Sequence, residues 1–190
     1  MMNHSLKNLT LSAIFMAVGI ILPFFMGHIP QIGNMLLPMH IPVILCGLIC
    51  GWKYGAGVGF ILPLFRSLLF GMPVLFPTAA SMAFELMTYG LVAGFLYGCS
   101  QSQCVITLYR SLIISMLAGR IVWGIAQVFF LGIGKNVFTF EAFLAGAFLN
   151  AVPGIVLQLI FIPAVMAALS RTGLVPFKKG QDIPEIGKGI

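Results

Sequence analysis

The sequence predicts an all-α membrane protein, a bundle of six transmembrane helices with both termini in the cytoplasm. Three observations carry that expectation. Of the 190 residues, 60% are hydrophobic and 7% charged, against roughly 25% charged in a soluble domain. The apolar runs reach the roughly 20 residues a helix needs to cross the hydrocarbon core. The cations gather on one side of those runs, as the preference of cytoplasmic loops for Lys and Arg requires.

Lipid offers backbone polar groups no water, so the apolar runs must be helices. The first, within "LTLSAIFMAVGIILPFFMG", covers Lys7 to Met26. It is too long for the hydrophobic region of a signal peptide and further spans follow, so it is expected to be a retained helix. "GHIPQIGNMLLPMHIP" comes next, too broken by Pro and Gly to span, and is expected to fold back as a lid or to serve as a plain connector. Helix 2, Ile41 to Gly51, is short and has Pro38 and Pro42 at its start. Helix 3 runs from Tyr54 to Phe70 and, after the turn "GMPVLFPT", helix 4 from Thr78 to Gly98. Helix 5 runs from Leu108 to Ile133 and helix 6 from Phe140 to Ser170. Residues 1–172 form the membrane domain and 173–190 a polar cytoplasmic tail.

With the N-terminus inside, the cytoplasmic ends carry Lys7, Lys53, Arg110, Arg171, Lys178, Lys179 and Lys188, and the outer loops carry only Lys135. Arg66 and Arg120 fall within spans. The formal charge of +6 forms no basic stripe, so nucleic acid is not an expected partner. Bilayer lipid is. Cys46 and Cys50 stand one helical turn apart, but no His or acid at ligand spacing joins them, so no metal site is expected. Gly47, Gly51, Gly55 and Gly59 recur every four residues, as do Gly90, Gly94 and Gly98. That spacing lets helix backbones approach closely. Ala13 and Ala17 make a similar small-residue patch on helix 1.

A charge at membrane depth costs about 2.5–3.5 kcal/mol on insertion scales and faces a cavity or a partner. Topology puts Arg66 and Glu85 in the outer half and Arg120 near mid-depth. Trp123 and Gln127 continue the face of Arg120, and Asn150 and the deeper Gln158 lie on helix 6. The candidate binding set is therefore Arg66, Glu85, Tyr89, Arg120, Trp123, Gln127 and Asn150, joined by Asn34 and His40 from the first outer loop. Phe84, Tyr89 and Trp123 would wall an apolar pocket. An Arg66–Glu85 ion pair that only locks the bundle is the alternative. Two arginines against one glutamate favour an anionic ligand. The chain has no phosphate-binding Gly-rich loop ending in Lys-Ser/Thr and no nucleophile with a paired base, so it is not expected to be an enzyme.

The order of "AIFMA", the Pro-rich outer loop, "PMHIPVILCGLICGWKYGAGVGFILPLFRSLLFG" and "MPVLFPTAASMAFELMTYGLVAGFLYG" resembles the substrate-binding (S) components of energy-coupling factor (ECF) vitamin transporters over residues 7–170. The resemblance implies a six-helix subunit in the bacterial plasma membrane that binds a vitamin or its precursor near the outer face. It implies docking on a transmembrane coupling subunit joined to two cytoplasmic ATPases, with ATP used by those partners and no cofactor in this chain. The family's Ala-x-x-x-Ala contact with the coupling subunit falls on Ala13 and Ala17. "PMHIP" lacks the Asp expected of riboflavin members, and the surplus cation favours pantothenate. Pyridoxine-type, hydroxymethylpyrimidine and niacin ligands stay open. The competing function is a stand-alone small-molecule facilitator or membrane assembly protein without ATPase partners.

Overall fold

A computed structural model describes residues 4–26, 38–100, 104–133 and 152–171, and all regular structure among them is helical. The helices are α1 (His4–Met26), α2 (His40–Cys50), α3 (Trp52–Phe70), α4 (Ala80–Gly98), α5 (Val105–Ile133) and α6 (Val152–Arg171), with a π turn at Leu75–Ala79 leading into α4. All six expected helices are present, within a few residues of their predicted bounds where both ends are described. The expected start of helix 6 at Phe140 and the tail 173–190 lie outside the described residues.

Four segments are long and apolar enough to cross a membrane: Ser5–Pro23, Leu75–Gly98, Val105–Leu131 and Val152–Ser170. The 11 residues of α2 rise only about 16 Å at 1.5 Å each, half the hydrocarbon thickness. The reason so short a helix can sit at this depth is burial. Residues 40–48 and Cys50 are all buried, because α1, α3, α4 and α6 each pack against α2. Protein rather than lipid surrounds its ends.

α4 is the hub, in contact with α2, α3 and α5. Two apolar clusters meet on α2. One joins Ile41, Ile44, Leu45 and Leu48 to Tyr89, Ala93 and Tyr97 of α4, Leu108, Leu112 and Met116 of α5, and Ile162 and Met166 of α6. The other joins Met39, Val43, Cys46 and Cys50 to Val58 and Leu62 of α3 and Leu86 of α4, with Leu11, Phe15, Met16 and Ile20 of α1 packed beside it. Cys46 Sγ approaches Ser12 Oγ at 3.5 Å, so the cysteine pair serves the α1–α2 seam.

Gly47, Gly55, Gly59, Gly90 and Gly94 form an internal packing surface, whereas a Cβ on Gly51 or Gly98 would meet nothing within 4 Å. A Cβ on Gly47 would meet the Gly90 carbonyl, one on Gly90 the Gly55 carbonyl, and one on Gly59 the Leu86 carbonyl. Only hydrogen at these positions lets the three backbones touch. Gly51, at φ 98°, makes the corner between α2 and α3. These contacts also fix the antiparallel register of α3 on α4: Gly55 stands opposite Gly90, and Gly59 opposite Leu86. α1 stands apart from this packing. It touches α2 and α3, while Leu6, Leu9, Ile14, Val18 and Ile21 are exposed, as are Ala13 and Ala17.

Candidate functional site

Ser81, Glu85 and Tyr89 recur every four residues on α4, so they share one face, and all three are buried. Glu85 is the centre of the site. Its Oε1 lies 3.0 Å from Arg120 Nη1 on α5 and 3.6 Å from His40 Nε2 on α2. The same oxygen accepts a hydrogen bond from the Tyr89 hydroxyl at 3.0 Å. The His40 ring meets the Tyr89 ring edge-on with centroids 5.1 Å apart. Three helices thus converge on one carboxylate oxygen, in a place where water is excluded and each contact is correspondingly strong.

The α4–α5 register explains why these side chains meet. Gln127 Nε2 donates to Ser81 Oγ at 3.0 Å. Two turns away, the Tyr89 ring lies against Gly119, where a Cβ would come within 2.5 Å of it. Between those two fixed points Glu85 is level with Trp123, and the long side chain of Arg120 reaches it from one turn away. Ser81 and Gly119 are the residues the sequence analysis missed. Ser81 was legible as the fourth residue before Glu85. Gly119 has no signal of its own, since its role is to make room for a ring on another helix.

Arg66 does not pair with Glu85, which corrects the expected alternative. In the register set by the glycines, Arg66 stands opposite Ala79, six residues short of Glu85, or about 9 Å along the axis. Its Nη1 instead meets Met39 Sδ at 3.5 Å, beside His40 in sequence, and the side chain is half-buried. Phe84 is also corrected as a pocket wall. It is 38% exposed, its ring contacts are Phe60 at 5.9 Å and Phe130 at 6.2 Å, and it sits about 100° round α4 from Glu85. Trp123 is half-buried. Asn34 and Asn150 lie outside the described residues.

Several buried polar atoms near or beyond this centre have no hydrogen-bond partner: Arg120 Nε and Nη2, both ring nitrogens of His40, and Gln158 Nε2. Gln158 is 1% exposed. Buried polar groups are normally satisfied, and these are exceptions gathered around or below one ionic centre. Among the described residues no three His, Cys, Asp or Glu side chains cluster as metal ligands.

A family model described as the substrate-specific component of the ECF transporter matches residues 7–173. No curated protein and no solved structure matches the chain.

Proposed function

Because the chain belongs to the family of ECF transporter substrate-specific components, we propose that it captures a vitamin or vitamin precursor with high affinity from the outer side of the bacterial plasma membrane. The captured molecule is then passed on through a transmembrane coupling subunit driven by two cytoplasmic ATPases, so ATP chemistry belongs to the partners and this chain is not an enzyme. Both termini face the cytoplasm in this arrangement, which the distribution of Lys and Arg supports.

One observation carries the capture function: a buried ionic centre of Glu85, Arg120, His40 and Tyr89 inside an otherwise apolar bundle. Such a centre is expensive in a membrane, and a purely structural lock would be expected to satisfy its own donors. This one leaves donors on Arg120 and His40 open. Pantothenate is the favoured ligand, since Arg120 keeps two donors open beyond its contact with Glu85 and a carboxylate matches them. Arg66 would serve as a second cation beside the entrance to the centre, and Trp123, Gln127, Asn34 and Asn150 would complete the surroundings. Ala13 and Ala17, exposed on α1, would meet the coupling subunit.

Mass spectrometry of the small molecule that co-purifies with the protein tests this directly. The expected result is a stoichiometric vitamin or precursor, released on denaturation and rebound at nanomolar to low-micromolar concentration. Failure to bind any member of a full vitamin panel, in detergent and in lipid, would overturn it. Uptake by vesicles containing this chain alone would favour the facilitator.

A further inference from the structure

Arg120 is held by one corner. Nη1 engages Glu85 Oε1 at 3.0 Å, while Nε and Nη2 are buried and have no hydrogen-bond partner. The residue is only 6% exposed, so bulk water does not serve them. These two atoms share one edge of the planar guanidinium. Their parallel N–H bonds match the two oxygens of a carboxylate, the geometry that distinguishes Arg from Lys. Leaving two such donors unmade in a buried place costs the full desolvation of each. The arrangement is recovered when an acceptor pair fills the edge.

From this edge we infer that Arg120 receives a single carboxylate group of the captured molecule, bidentate on Nε and Nη2, while Glu85 holds Nη1 and fixes the plane of the fork. The inference rests on the capture function and adds the chemical class of the ligand and the atoms that read it. One further observation supports it. The fork is rigidly placed, because Glu85 is itself anchored by the Tyr89 hydroxyl and the Tyr89 ring packs against Gly119, next to Arg120 in the chain.

The test pairs acids with neutral counterparts. Pantothenate, nicotinate and biotin are titrated into the full-length protein in lipid nanodiscs beside pantothenol, nicotinamide and biotinamide, with riboflavin, thiamine and pyridoxine as vitamins lacking a carboxylate. One acid is expected to bind at least a hundredfold more tightly than its neutral counterpart. Arg120→Lys, which keeps the charge and removes the fork, is expected to weaken that acid more than tenfold and to narrow the gap in affinity between it and its neutral counterpart. Equal binding of an acid and its counterpart, tight binding of a vitamin without a carboxylate, or full affinity in Arg120→Lys overturns the fork and leaves the capture function standing. No binding across the whole panel overturns both. Should Arg120→Lys fail to fold, the comparison of acid with neutral counterpart in the natural protein decides alone.

Discussion

Glu85 carries the arrangement because one oxygen collects contacts from Arg120, His40 and Tyr89. Removing the carboxylate strands a buried guanidinium, and breaking a buried ion pair from one side costs about 3–5 kcal/mol. Glu85→Ala is therefore expected to lower the melting temperature of the ligand-free protein sharply in detergent. Glu85→Gln keeps an acceptor for Nη1 and Tyr89, so its loss should be distinctly smaller. Equal losses would mean that the charge contributes nothing and that Glu85 matters only for its volume. Much of this centre was legible in the sequence. Glu85 and Tyr89 stand four apart on one helix, and His40 and Arg120 are polar groups in apolar surroundings. The identity of the partner was not legible. Arg66 and Arg120 look alike in a hydropathy profile, and what keeps Arg66 from Glu85 is an axial offset of about 9 Å, set by how two glycine-lined backbones seat against each other.

At the scale of elements, the glycines do more than permit close packing, because they set the levels at which polar side chains meet. A methyl group on Gly90 would collide with the Gly55 backbone, whereas one on Gly57 would enter open space. Gly90→Ala is expected to destabilise by about 1–3 kcal/mol, the usual cost of overpacking, and to weaken ligand binding as well, since α4 carries Glu85. Gly57→Ala should be neutral or stabilising by up to about 1 kcal/mol through helix propensity alone. Thermal unfolding of the two variants in the same detergent compares them, and similar effects would show that register is set elsewhere. The helices themselves were readable from apolar run length and from Pro and Gly punctuation. The burial of α2 was not, because a run of 11 residues gives no sign of whether lipid or protein surrounds it. That distinction comes from four neighbouring helices, which periodicity within α2 cannot report.

At the scale of the whole molecule, α1 raises a question that exposure alone does not answer. Apolar side chains facing outward are ordinary in a bilayer, since lipid tails are as apolar as Leu. Small side chains facing outward are different, because they forgo contact with lipid and permit a second helix to come close. Ala13 and Ala17 are exposed one turn apart on such a face, while Leu11, Phe15 and Ile20 pack another face of α1 against the core. The double variant Ala13→Leu with Ala17→Leu adds volume on a face left exposed among the described residues. Ligand affinity should stay within about twofold and the melting temperature should hold, because the Glu85–Arg120 centre lies on other helices and surface substitutions away from buried features stay within about 0.5 kcal/mol. Uptake by cells that also make the coupling subunit and ATPases is expected to fall more than tenfold, and those subunits should no longer co-purify. Lost ligand binding would instead make the patch part of this chain's own packing. Undiminished uptake would place the partner contact on another face. The separation of capture from delivery is what the architecture predicts: α2, α4 and α5 hold the polar centre, and α1 packs beside them on one face while Ala13 and Ala17 stay exposed on another.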